Sequence, residues 1–233
     1  MNDNLQLHPL LRNNDVRGVV FDLDGTLIDS AADILHGMRL TLEQAGVGTV
    51  PEDYFPDNLH GTAAGILRSI VQDMGWSMNQ DFNALERQYL VNAASINLER
   101  TRLFSGALAV LNACKATGLP MAICTNKAYS GAIAAVQKFN IHGLFDFITG
   151  CDTWDEAKPS PMPLRKTMEQ IAVPAEECLY FGDTSTDAEC AHAAGVRFIL
   201  FEAGYGDSQL GTWPAHFVFN DWNELLLGEE THA

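Results

Sequence analysis

The run Val19-Val20-Phe21-Asp22-Leu23-Asp24-Gly25-Thr26 limits the fold more than any other stretch of this 233-residue chain. Three apolar, β-prone residues in succession suit a strand buried on both faces, as in a parallel sheet. Two carboxylates follow where that strand should stop, and Gly25 permits the sharp turn that aims both at one point. Neighbouring buried carboxylates are costly unless a cation or a reaction uses them. Open α/β sheets bind their ligands at the edge where such a strand ends.

The rest of the chain supplies the remaining elements. Ile34, Leu35, Met38 and Leu42 recur at helical spacing until Gly46 stops the run. Residues 51–60 are rich in Pro and Asp and read as a loop. Helices are predicted over about 61–74, carrying Ile66, Leu67, Ile70 and Val71, and over about 81–100, carrying Phe82, Leu85, Tyr89, Leu90 and Ile96. With no convincing strand between 30 and 103, this block reads as a helical unit inserted after the first strand. From 104 the rhythm changes to strands near 119–124, 145–149, 178–181, 197–201 and 216–219. Helices near 106–117, 128–139, 161–172 and 186–194 alternate with them. Such alternation predicts a doubly wound, mostly parallel α/β sheet with a Rossmann-like core. The expected division is a loose leader over 1–14, a core from 15–29 and 103–233, and a helical cap over 30–102.

Composition narrows the function classes. The formal net charge of −16 argues against a nucleic-acid partner. No apolar run approaches the roughly 20 residues of a membrane helix, and the polar start lacks a signal-peptide core. Five cysteines, none in CxxC spacing, read as reduced core thiols, so the expected location is cytoplasmic. The acidic excess reads as a solvated surface, which leaves an anionic substrate dependent on a cation and a few lysines at the site.

Four segments stand at the predicted ends of strands or beside them: Asp22 and Asp24; Thr125 and Asn126; Lys158 before a predicted helix; and Asp183 with Asp187. Parallel strands put their C-terminal ends on one edge, so these groups can converge. Asp22, Asp24 and Asp183 concentrate negative charge and favour a hard cation such as Mg2+. Lys158 and the Thr125 hydroxyl can meet phosphate oxygens, and backbone N–H groups near Leu23 and Asn126 can complete an anion nest. One aspartate can attack phosphorus and a second can move the proton; Asp22 and Asp24 suit these two roles.

Asp22-Leu23-Asp24-Gly25-Thr26, Thr125-Asn126, Lys158-Pro159 and Gly182-Asp183-Thr184-Ser185-Thr186-Asp187 resemble, in order, the four motifs of the haloacid dehalogenase-like hydrolase superfamily. The resemblance spans about residues 16–226, and within it the chain is similar to the phosphoglycolate phosphatase-type branch with a helical cap. It implies Asp22 as nucleophile and Mg2+ ligand. It implies Asp24 as general acid and base with its carbonyl on the metal, Asp183 as a further ligand, and Asp187 holding Lys158 or a metal water. Thr125 and Lys158 would clamp the phosphoryl group, with Leu23 and Asn126 lining it. The carboxylate at Asp24 favours phosphate esters over the dehalogenase and phosphonate chemistries of the superfamily. Thr26 stands where mutases of the β-phosphoglucomutase kind usually carry Val or Ile, and so favours hydrolysis.

The expected function is a Mg2+-dependent phosphatase acting on a small phosphomonoester, phosphoglycolate foremost, as a monomer or homodimer. The alternatives are a sugar phosphomutase and a non-catalytic phosphometabolite-binding protein. Lys127 either meets a substrate carboxylate or has no such role; the sequence leaves both open. Gly61, Thr62 and Arg68 fall in the cap where related proteins read the substrate, and Arg68 equally suits a solvated helix face. Asp29 reads as a helix cap, Cys124 as a core thiol, and His36, His60, His142, His192 and His216 as structural or surface groups.

Overall fold

The structure, a computed structural model, describes residues 6–227. Its first elements correct the expectation of a loose leader over 1–14. Strand β1 (Gln6–Leu7) pairs antiparallel with residues 226 and 227, and helix α1 (Pro9–Arg12) follows. Leu7 and Leu11 are buried in the main core. The cause is three leucines at positions 7, 10 and 11 in a polar run; burying one such side chain is worth about 1.5–3 kcal/mol. Residues 1–5 of that leader, and 228–233 of the expected core, lie outside the described residues.

Strand β2 (Gly18–Phe21) is the expected first strand, fully buried. After it the chain passes through β3 (Ile28–Asp29) into the cap helices α2 (Ala31–Gln44), α3 (Ala63–Asp73) and α4 (Phe82–Ile96). Their apolar stripes meet in a separate cluster built on Met38, Leu42, Leu67, Ile70 and Val71. Thr62 and Asp81 cap α3 and α4 through Gly65 N and Ala84 N. The last helix stops at 96 rather than near 100, because Asn97 and Leu98 adopt left-handed backbone with φ of 53° and 56°. A short strand unforeseen in the sequence, β4 (Arg102–Leu103), then pairs with β3, joining Ile28 to Leu103 and Asp29 to Arg102. The cap therefore leaves and rejoins the core at one neck. Asp33 seals it, accepting from Arg100 N, Thr101 N and Thr101 Oγ1.

The core continues as α5 (Ala107–Ala116), β5 (Met121–Cys124), α6 (Tyr129–Lys138), β6 (Phe147–Thr149) and α7 (Met162–Gln170). It closes with β7 (Cys178–Gly182), α8 (Ser185–Ala194), β8 (Arg197–Phe201), β9 (Phe217–Phe219) and β10 (Leu226–Leu227). Six of these strands form one parallel sheet in the order β6-β5-β2-β7-β8-β9, the doubly wound α/β architecture expected. The alternation of β2 is visible in its packing. Val19 and Phe21 join one core layer with Ile123 and Phe181, while Val20 joins the other with Ala122 and Tyr180. Winding outward in both directions from β2 puts the topological switch point beside that strand. The ends of β5, β2 and β7 open there, where such sheets bind ligands.

Candidate active site

The turn after β2 is held from both sides. Leu27 N and Ile28 N donate to Leu23 O, each at 3.0 Å, and Gly25 N donates to Ile28 O at 2.8 Å. The Leu23 side chain is buried in the core. From below, the buried Trp222 indole donates to Thr26 O at 3.1 Å while its ring stacks on Phe181. Core packing thus fixes the loop that carries Asp22 and Asp24.

Asp22, Asp183 and Asp187 converge: one carboxylate oxygen from each lies within 4.8 Å of the others, and all three residues are buried. Lys158 sits among them. Its Nζ donates to Asp22 Oδ1 at 2.8 Å, Asp187 Oδ1 at 2.6 Å and the Tyr180 hydroxyl at 2.9 Å. Asp187 also accepts from Thr184 N and Oγ1 and lies in the first turn of α8, where the helix dipole favours an anion. Burial opposes its ionisation, but Lys158 and these hydrogen bonds outweigh it and hold its carboxyl below the usual range. Burial likewise opposes the charge on Lys158, and the Asp187 and Asp22 carboxylates more than restore it.

The other two carboxylates fare differently. Burial lifts Asp22 to about 7, with Lys158 opposing and Asp187 adding to the rise. Asp183 is raised well above the ordinary value by burial and by the charges of Asp187 and Asp22. Thr26 Oγ1 and Tyr205 N each donate to Asp183, at 2.7 and 2.8 Å. Room for that carboxylate is made by two glycines. A Cβ at Gly25 would fall 2.2 Å from Asp183 Oδ2, and one at Gly204 would fall 2.3 Å from Asp183 Cβ. Gly25 also holds φ at +88°, which side chains other than hydrogen rarely adopt.

Asp24 stands apart from this cluster. Lys127 Nζ donates to both its oxygens, at 3.0 and 3.1 Å, and Ser30 Oγ donates to Oδ1 at 2.5 Å. Tyr205 in turn accepts from Ser30 N at 2.8 Å. Thr125 lies buried after β5, its Oγ1 accepting from Lys127 N. The Asn126 side chain bridges loops: Oδ1 accepts from Lys158 N, and Nδ2 donates to Lys158 O and to His60 O. It positions the strap that delivers Lys158.

Several groups here escaped the sequence reading. His60, taken as structural or surface, brings Nδ1 to 2.7 Å from Thr186 Oγ1. Its Nε2 comes to 3.7 Å from Asp207, which accepts from Ser185 N at the start of α8. Asp57 receives Ser208 N and Oγ, so the loop before α3 is latched onto the core. Tyr180, Tyr205 and Ser30 also lie around the carboxylates. No spacing rule finds them, because they come from strand interiors and loop ends that only the fold brings together; Lys127 alone was signalled, by its place beside Asn126. Of the cap candidates, Gly61 lines the site cavity, Thr62 caps α3, and Arg68 stacks over Phe82. Asp29 is exposed, its carboxylate 3.4 Å from Ala31 N. Cys124 is a buried thiol pushed up to about 12 by burial.

A doubly wound sheet with an inserted helical cap and acidic groups at its switch point defines a class of hydrolase. The sequence profile of haloacid dehalogenase-like hydrolases matches residues 19–201, and the chain belongs to that family. Among its curated relatives is a phosphoglycolate phosphatase of Cereibacter sphaeroides (strain ATCC 17025), 32% identical over 209 residues covering 89% of this chain and 95% of the relative. Another is a phosphoglycolate phosphatase of Aquifex aeolicus, 33% identical over 82% of this chain and 86% of its own. These likenesses make the chain a phosphoric monoester hydrolase. A haloacid dehalogenase-like hydrolase from Bacteroides fragilis superposes with a TM-score of 0.80 at 25% identity, covering 90% of this chain and 99% of that one. A mutant CbbY from Rhodobacter sphaeroides, solved with xylulose-(1,5)bisphosphate, has the same fold, with a TM-score of 0.74 at 20% identity over 90% and 96% of the two chains.

Proposed function

We propose that this protein is a Mg2+-dependent phosphatase that hydrolyses a small phosphomonoester through an aspartyl-phosphate on Asp22. The observation that carries the reading is the convergence of buried Asp22 with Lys158, at 2.8 Å, and with the buried carboxylates Asp183 and Asp187 beyond the neighbouring strand end. The donor set fits Mg2+: it is all oxygen, two of its carboxylates resist ionisation without a cation, and glycines at 25 and 204 leave Asp183 the space it needs. Asp22, Asp183 and the Asp24 carbonyl would hold the ion, with Asp187 supporting through Lys158. When bound, Mg2+ supplies charge neutralisation and polarisation of the phosphoryl group.

The chain's own residues do the rest. A carboxylate oxygen of Asp22 bonds to phosphorus as the ester P–O bond breaks. Asp24, aimed by Lys127 and Ser30, gives a proton to the leaving oxygen. Asp24 then takes a proton from the water that attacks phosphorus, and inorganic phosphate departs with the Asp22 carboxylate restored. Lys158, Thr125 and the N–H groups of Leu23 and Asn126 hold the phosphoryl oxygens. The cap, over about residues 30–102, excludes bulk water. The relatives' names make phosphoglycolate the first ester to assay. Five free cysteines, four of them buried, support a cytoplasmic location; among the described residues no helix is long and apolar enough to cross a membrane.

Phosphate release over a panel of small esters, with Mg2+ and with chelator, tests this. Release that requires Mg2+ and is lost in Asp22→Asn is the expected result. Metal-independent or absent release, or isomerised sugar phosphate in place of phosphate, would overturn it.

A further inference from the structure

A cavity of about 210 Å3 opens beside Asp22 and Asp24 and continues beneath the cap. It is larger than the apolar cavity of about 150 Å3 that admits benzene in an engineered protein. The same space takes the phosphoryl group, since Asp22, Thr125 and Asn126 are among its lining residues. Polar groups, Ser30, Thr125 and Asn126 among them, line its end at the carboxylates, while Ile34, Met38, Leu59, Ile66, Tyr89 and Ile96 give it a buried apolar wall that Leu90 and Ala94 extend along α4.

The charges along this cavity disfavour a second anionic group. Lys127, the lysine among its lining residues, is committed to both oxygens of Asp24. The His60 ring is occupied by Thr186. Arg68 stacks over Phe82 and Arg39 is spent on the carbonyls of Pro51, Glu52 and Tyr54, so neither is among the lining residues. The remaining charged lining residues are Asp33 and Glu86, both of the wrong sign for a carboxylate. An uncharged alkyl or aryl body instead gains by leaving water for these walls.

We propose that the enzyme's better substrates are phosphomonoesters whose alcohol carries an uncharged apolar body, of phenyl or hexyl size, seated between Asp24 and the α2–α4 face of the cap. This rests on the phosphatase reading above and adds a substrate class to it. The overall change is the same hydrolysis: water and the ester give the free apolar alcohol and inorganic phosphate.

The test is kcat/KM from phosphate release by the full chain with Mg2+. The substrates are methyl, butyl, hexyl and phenyl phosphate, together with phosphoglycolate. A rise of about tenfold or more from methyl to hexyl is expected, since each buried methylene is worth a severalfold gain, with hexyl and phenyl phosphate above phosphoglycolate. Leu90 is partly exposed on α4, so Leu90→Asp should fold, as circular dichroism and melting will check, and should cut the hexyl-to-methyl ratio about fivefold or more. Values flat or falling with chain length, or phosphoglycolate above every alkyl and aryl ester, would overturn this inference and leave the phosphatase reading standing. Release from none of the esters would overturn both.

Discussion

Lys158 ends among three oxygens, those of Asp22, Asp187 and Tyr180, with almost no access to water. Removing one partner of a buried charge set leaves the others uncompensated. Lys158→Met should therefore abolish turnover and lower unfolding free energy by about 3 kcal/mol at pH 8. The loss should shrink at pH 5, where the orphaned carboxyls take up protons; urea titrations at the two pH values check it. Gly204→Ala places a Cβ 2.5 Å from Gly25 O as well as against Asp183. Displacing that carboxylate should raise the Mg2+ concentration for half-maximal activity by about tenfold, the scale on which support around a metal ligand acts; a Mg2+ titration of phosphate release reads it. At this scale the sequence was informative where chemistry demands a residue type at a strand end, as at Asp22, Thr125 and Asp183. It was silent about Tyr205, Ser30 and His60, whose types are common and whose positions depend on how separate loops fold back.

Elements carry these side chains, and their joints are where the sequence was hardest to read. The helices and long strands followed from apolar periodicity, which reflects burial over many residues. The two-residue strands β1, β3, β4 and β10 contain too few positions to show any period, and each exists only because a distant segment pairs with it. The N-terminal leucines carried a usable signal in Leu7, Leu10 and Leu11, masked by the polar residues around them. Asp33 shows what such joints require: its carboxylate satisfies two backbone N–H groups and a hydroxyl at the cap's exit. Asp33→Ala should cost about 2–3 kcal/mol, the penalty of leaving buried donors unpaired, read as a lowered midpoint in denaturant unfolding. A mild loss, under about 0.5 kcal/mol, would mean water replaces the carboxylate there.

Across the whole molecule, a strongly acidic chain keeps buried carboxylates at its centre, and on the proposed reading protons and Mg2+ compete for them. Burial raises Asp22 from an ordinary 3.8 to about 7, and Asp183 is likewise raised well above the ordinary value. A group with a raised folded value is neutral in both states at low pH, and it withdraws stability as pH climbs from the unfolded value through the folded one. Without metal, these two groups should lower stability as pH rises from about 4 past 7. On the proposed reading Mg2+ binds the ionised folded site, so it should raise the melting temperature more at pH 8 than at pH 5.5. Thermal melts with and without Mg2+ at both values test this, and an equal shift at both would show that the ion does not displace protons from the cluster. The neck formed by Ile28 and Asp29 against Leu103 and Arg102 has its own consequence. Because the inserted helices depart and return on hydrogen-bonded neighbours, the gap their excision leaves in the parent scaffold is one strand spacing wide. The insert is thus a cassette: lengthening, shortening or grafting it does not ask the parallel sheet to move.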